Sequence, residues 1–199
     1  MEPKKRLFTI ILSCEKYRHK MLSQDTSELG DYMYFIGDPT LSSSFVKGEV
    51  VYLPCPDNYE NLTKKTFMAV QWAFKNKDFD LLMKTDDDVR FLDGFDKIIR
   101  EASVHDYSGF LRTGGYMSDW HFGKCENQEL NNLPIAVPEV VYCDGPLYFL
   151  SRKSSSLLVD YGLRNDFCMY EDAEVGEVLR RSGVIARQIQ NKNSFFWPK

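Results

Sequence analysis

Short apolar runs and helix-period stretches alternate along this chain. Residues 7–13 (LFTIILS) form a β-rich run of the kind buried on both faces of a sheet, and the run opens onto the polar stretch 14–20. Residues 32–36 predict a second strand closed by Gly37, Asp38 and Pro39, and residues 50–53 a third closed by Pro54 and Pro56. A helix follows. Asn61 is placed to cap it, and Leu62, Thr66, Ala69, Val70 and Ala73 recur at steps of three and four, leaving Lys64, Lys65 and Gln71 elsewhere on its surface. Residues 79–83 then read as a central strand that runs directly into Thr85, Asp86, Asp87 and Asp88. Beyond it the pattern predicts a helix over 95–102 and a loop-rich region over 118–138. A strand over 142–151 containing Gly145 and Pro146, a helix over 171–181 and a last strand over 184–188 complete the chain. Such alternation points to an α/β domain with a mostly parallel central sheet flanked by helices, in which ligands bind beyond the carboxyl ends of the strands.

No repeat, low-complexity segment or linker divides the chain, so residues 1–199 are read as a single domain. With 43% apolar residues, a chain of this length buries roughly 70% of its unfolded surface around one core. The net charge is −4 with both signs spread along the sequence, which leaves no electrostatic footprint for nucleic acid or an anionic membrane. An anionic substrate would therefore need local help from a metal or from a few Lys and Arg side chains. Five cysteines, odd in number and without C-x-x-C spacing, read as free or buried thiols rather than disulfides or zinc ligands. No apolar run approaches the ~20 residues that span a bilayer, and the basic start at Lys4, Lys5 and Arg6 leads into a strand-length run only. The expectation is a soluble, cytoplasmic chain without signal or anchor, monomeric or weakly dimeric. Asn61-Leu62-Thr63 matches a glycosylation sequon, but the capping role fits Asn61 better in such a chain.

Three adjacent carboxylates repel one another, and an acidic run is ordinarily a solvated loop. Here a buried strand delivers them to its end, and Val89, Phe91 and Leu92 return at once to apolar character. Acids that interrupt a core element call for a cation, and hard oxygen ligands suit Mg²⁺ or Mn²⁺ held jointly with a phosphate. On an extended segment Asp86 and Asp88 would face one side, with Asp87 turned away.

Four motifs, in order, resemble those of the β-1,3-galactosyltransferase and fringe-like glycosyltransferase family. They are Asn58-Tyr59-Glu60-Asn61-Leu62-Thr63-Lys64-Lys65-Thr66 with Trp72 in the helix behind it, and Lys84-Thr85-Asp86-Asp87-Asp88-Val89. Tyr142-Cys143-Asp144-Gly145-Pro146-Leu147-Tyr148-Phe149-Leu150-Ser151 and Glu171-Asp172-Ala173-Glu174-Val175-Gly176 complete the set. The resemblance covers residues 7–185. It implies a GT-A type fold, with a donor-nucleotide half over about 1–92 and an acceptor and catalytic half over about 93–199. It also implies inverting transfer from a UDP-sugar to a carbohydrate acceptor with Mn²⁺ or Mg²⁺.

Under that resemblance Asp172 is the candidate base, since inverting transfer needs a carboxylate to take the acceptor proton. Glu171 and Asp172 are equally suitable as plain first-turn helix acids. Asp88 and Asp86 become the metal ligands, and Asp86, Asp87, Lys65, Arg18 and Gly145 the donor-binding set, with Lys20 beside Arg18. Family members usually add a late histidine to the metal, whereas this chain has only His19, His105 and His121, of which His121 is the candidate substitute. Lys65 also reads as an exposed helix lysine, Gly145 as a point of close backbone approach, and Trp120 and Tyr116 as either core or a sugar-stacking face. Residues 1–199 show no run that matches the family's usual anchor and stem, so the expectation is either a compact microbial or viral enzyme or an excised lumenal domain. Two other readings stand beside transfer: a metal-dependent nucleotidyl- or phosphotransferase, and a catalytically silent sugar-nucleotide-binding domain.

Overall fold

The computed structural model describes residues 5–164 and 166–190 and the backbone of 195–196. In chain order the elements are β1 (Leu7–Leu12), α1 (Arg18–Ser23), β2 (Asp31–Gly37), β3 (Phe45–Lys47), β4 (Val50–Leu53), α2 (Leu62–Asn76), β5 (Leu81–Asp86), β6 (Arg90–Phe91) and α3 (Phe95–Ala102). They continue with β7 (Tyr107–Thr113), β8 (Met117–Ser118), β9 (Ile135–Ala136), β10 (Val141–Ser151), α4 (Arg152–Tyr161), α5 (Glu171–Arg181), β11 (Arg187–Gln188) and β12 (Phe195–Phe196).

Eight strands form the central sheet in the order β11-β7-β10-β5-β1-β2-β4-β3. The pairs β5–β1, β1–β2, β2–β4 and β11–β7 are parallel, while β10 runs antiparallel to both β5 and β7, and β3 antiparallel to β4. Strand alternation sorts the core into two layers. Phe8, Ile10, Leu12, Phe35 and Leu82 pack with Phe67, Val70 and Ala73 of α2, Leu158 of α4 and Val175 and Leu179 of α5. Ile11, Ile36, Leu81, Met83 and Phe149 pack on the other face with Phe95, Ile98 and Ala102 of α3. This is the expected α/β domain.

The helices read over 95–102 and 171–181 and the strand read over 50–53 end where expected. Others move. The strand expected over 79–83 is Leu81–Asp86, because Asp80 and Leu81 first hydrogen-bond Arg6 and pairing with β1 starts only at Leu81. The last strand shrinks to Arg187–Gln188, and the loop-rich 118–138 region holds the small β8–β9 pair. α4 and β7 escaped the sequence reading. In α4 the positions buried with Leu158 are Ser154 and Ser155, which carry no apolar period, and its start is marked by Ser151 accepting from the Ser154 amide. Asn61 does not cap α2: a 3₁₀ turn, Tyr59–Asn61, precedes the helix, and Asn61 donates to Asn58 Oδ1 at 2.7 Å instead.

α5 lies unusually close to β10. A Cβ at Gly176 would stand 2.4 Å from the Tyr142 Cβ, so only glycine allows this approach. Gly176→Ala should destabilise the protein by about 1–3 kcal/mol in denaturant melts through overpacking. Helix propensity alone predicts the opposite sign, a gain approaching ~1 kcal/mol. A stabilised variant would therefore show that the close approach is absent.

Candidate active site

The carboxyl ends of β1, β2, β4 and β5 meet along one edge, and Asp57 ties three of them together. Its Oδ1 accepts from the Gly37 amide at 2.8 Å and from Lys65 Nζ at 2.9 Å, and its Oδ2 accepts from the Glu15 amide at 2.8 Å. Lys65 also donates to the Ser13 carbonyl at 2.7 Å. Its side chain is buried, which corrects the expectation of a surface lysine: α2 turns Lys65 inward under the ends of the strands.

Leu82, Lys84 and Asp86 share one face of β5 by alternation, and that face is covered by helices. Lys84 is therefore a buried ammonium at an otherwise apolar strand position, 1% exposed. It donates to Asp86 Oδ1 at 2.7 Å and to the Gly145 carbonyl at 2.7 Å, and stands 3.6 Å from Glu171 Oε1. Burial opposes its charge, but the Asp86 and Glu171 carboxylates outweigh burial and hold its pKa above the ordinary lysine value.

The chain turns after Asp86, with the Val89 amide reaching back to the Asp86 carbonyl. The extended alternation expected for Asp86 and Asp88 thus stops at Asp86. Each carboxylate of the triplet takes its own partner: Asp86 the Lys84 ammonium, Asp87 the Ser13 hydroxyl at 2.6 Å, and Asp88 the Lys20 ammonium at 3.1 Å. Asp87 is buried, and burial pushes its pKa up against the Ser13 hydrogen bond.

Across Lys84 lies the start of α5. The register of β10 shifts between Cys143 and Tyr148, and this bulge carries Gly145 to the helix, where its amide donates to Asp172 Oδ2 at 3.0 Å. A Cβ on Gly145 would press on both Glu171 Oε2 and Asp172 Oδ2 at 3.4 Å, so the close approach read from the sequence is to these two acids. Asp172 Oδ1 accepts from the Ala173 amide at 2.9 Å. Glu171 is buried and accepts from the Tyr148 hydroxyl at 2.6 Å. Burial raises the Asp172 carboxyl to about 6 and the Glu171 carboxyl to about 7, the latter opposed by Lys84. Solvated first-turn acids would not be buried around an ammonium. A half-buried carboxylate near pKa 6 can accept a proton at neutral pH.

Around this centre, Arg18 is exposed, paired with Glu15 at 3.0 Å and donating to the Tyr52 hydroxyl at 2.9 Å. Trp120 and Tyr116 are surface groups, 59% and 50% exposed, and not core. Lys124 Nζ sits 4.2 Å above the Trp120 ring and 5.5 Å from that of Tyr59. His121 is a structural residue: it is fully buried, Nδ1 pairs with the Tyr170 hydroxyl at 2.6 Å, and Nε2 faces the carbonyls of Leu130 and Leu133. It cannot replace a metal ligand without dismantling that packing. Among the described residues no three His, Cys, Asp or Glu side chains gather into a metal cage. The donors at hand are the Asp86 and Asp88 carboxylates, each about one-third exposed, which fit a hard divalent ion that takes its remaining oxygens from water or a diphosphate. Most of the stretch 191–199, which contains no histidine, lies outside the described residues.

Sequence reasoning missed Lys84, Tyr148, Ser13 and Asp57 as parts of the site. One signal was available: a lysine between Met83 and Thr85, inside an apolar strand, must bury its charge and so requires acids nearby. Cys14, Cys55, Cys125, Cys143 and Cys168 are free thiols, and no described helix is long and apolar enough to cross a membrane.

A family model described as galactosyltransferase matches residues 41–190. Beta-1,3-galactosyltransferase 5 of Pan paniscus is 23% identical over 158 residues, which cover 75% of this chain and 50% of that protein. The chain thus spans about half the length of this curated relative. Among solved structures, 4-diphosphocytidyl-2C-methyl-D-erythritol synthase from Anaerococcus prevotii superposes with a TM-score of 0.53 at 13% identity, covering 98% of this chain and 90% of that one. That likeness is one of fold.

Proposed function

The chain belongs to the galactosyltransferase family, and from that membership we propose that it moves a hexose from a UDP-linked donor to a hydroxyl of a glycan acceptor, with inversion at the anomeric carbon. One observation supports this reading above the others: a single buried ammonium, Lys84, stands between the aspartate triplet and the acid pair that opens α5. The triplet suits the diphosphate side of the reaction and the acid pair the acceptor side.

In the proposed step the acceptor oxygen bonds to the anomeric carbon, the bond from that carbon to the diphosphate breaks, and Asp172 takes the acceptor proton. Both oxygens of Asp172 already accept an amide, which fixes the carboxylate and leaves a free lone pair on each. Asp86 and Asp88 would hold Mn²⁺ or Mg²⁺. When bound, the ion supplies charge stabilisation to the departing diphosphate. Asp87 and Lys65 act through the Ser13 and Asp57 contacts that shape the donor edge, while the exposed Arg18, paired with Glu15, would contact the nucleotide. Gly145 keeps the space beside Asp172 clear, and the Trp120 and Tyr116 rings offer apolar faces to the acceptor.

Two carboxylates hold a divalent ion weakly on their own, and a diphosphate brings the missing oxygens. Mn²⁺ and UDP should therefore tighten each other's binding by one common factor, about 1–3 kcal/mol. Calorimetric titration of each with and without the other measures the cycle, and Asp88→Ala should erase most of it. Independent binding of the two would remove the metal from the proposal. Incubation with a panel of nucleotide sugars tests the reaction class, since a sugar transferase releases the nucleoside diphosphate and discriminates among sugars. A nucleotidyltransferase would instead release the sugar phosphate, and a silent binding domain would release neither.

A further inference from the structure

Two ammonium groups pair with carboxylates of the aspartate triplet, Lys84 with Asp86 and Lys20 with Asp88, and they are built differently. Lys84 is locked: it is 1% exposed and held by two oxygens at 2.7 Å. Lys20 is not. It projects from α1, a six-residue helix with no buried side chain, and its own side chain is 33% exposed. Two contacts hold the ammonium: Asp88 Oδ2 at 3.1 Å, and the face of the Tyr17 ring at 4.6 Å. Tyr17 is itself exposed, so neither contact confines the four-carbon stem.

We propose that Lys20 exchanges partners during donor loading: it neutralises Asp88 while the site is empty and passes to the diphosphate once a divalent ion takes that carboxylate. The inference rests on Asp88 being a metal ligand, as proposed above. The ammonium and the ion compete for Asp88, so Lys20 opposes metal binding in the nucleotide-free protein. With nucleotide present the sign reverses. The released ammonium would stay tethered by its side chain beside Asp88, where it now sits at 3.1 Å, and would add a charge-assisted hydrogen bond to a diphosphate bound there. One residue thereby makes the empty site reluctant to take metal and the loaded site tighter, which enlarges the coupling between metal and nucleotide.

Lys20→Gln separates the two roles. Mn²⁺ titrated calorimetrically into the nucleotide-free variant should bind about two- to five-fold more tightly than to the wild type, the range a partly exposed ion pair allows. UDP titrated in saturating Mn²⁺ should bind about tenfold more weakly. Lys20→Arg should restore wild-type behaviour in both titrations, and equal thermal unfolding of the variants would show that the fold is intact. Unchanged or weakened Mn²⁺ binding in Lys20→Gln, or unchanged UDP binding, overturns the exchange. Wild-type protein that binds no Mn²⁺ with or without UDP overturns the metal reading as well, an outcome distinct from the failure of Lys20 alone.

Discussion

Replacing Asp172 by asparagine should lower sugar transfer by roughly 10²- to 10⁴-fold while leaving UDP affinity close to wild type. The amide keeps the shape and can still accept from one of the two amides that now orient the carboxylate, but it cannot take the acceptor proton. Nucleotide binding should be spared because the triplet's partners are Lys84, Ser13 and Lys20, none of which contacts Asp172 by hydrogen bond. The pH profile gives a second readout. A base works deprotonated, so with Asp172 raised to about 6 by burial, wild-type transfer should fall as pH drops through about 6 and level off above it. Wild-type turnover in the variant, or equal loss of turnover and UDP affinity, would remove Asp172 from the role of base.

Lys84→Met should have the largest effect on stability, a loss of about 3–5 kcal/mol, because it removes the cation from buried carboxylates and leaves their charge uncompensated. Glu171, the more deeply buried of the two partners, has its pKa raised to about 7 by burial against the lowering effect of Lys84. A carboxyl whose folded pKa lies above its ordinary value favours the folded state while protonated and loses that contribution as pH rises through the folded value. Wild type and variant share this loss, but Lys84 holds the Glu171 pKa down, so without the ammonium that pKa rises further and the variant's deficit should be larger at pH 8 than at pH 5. Adding Glu171→Gln to Lys84→Met should recover part of the loss, and the double-mutant cycle reports the coupling. Urea denaturation at both pH values checks all three expectations. A Lys84→Met protein as stable as wild type at pH 8 would mean that the ammonium is not the counter-ion of this site.

Local pattern alone determined the class of the domain and several of its elements. α3 and α5 end where their periodicity ends, β4 is bounded by Pro54, and the aspartate triplet sits at a strand end because an apolar run stops there. These features depend on neighbours within a few residues, and the sequence displays such neighbours side by side. The inward turn of Lys65, the burial of His121 and the partners of the three aspartates were decided elsewhere. Lys84 meets Glu171, and Gly145 meets Asp172, only because β10 enters the sheet antiparallel beside β5 and bulges toward α5. Asp57 joins Gly37, Glu15 and Lys65 only because β1, β2 and β4 end at one edge. Spacing along a chain carries no information about which distant groups will share a dry volume, and it is the cost of burying an unpaired charge there that selects these partners once the sheet has closed.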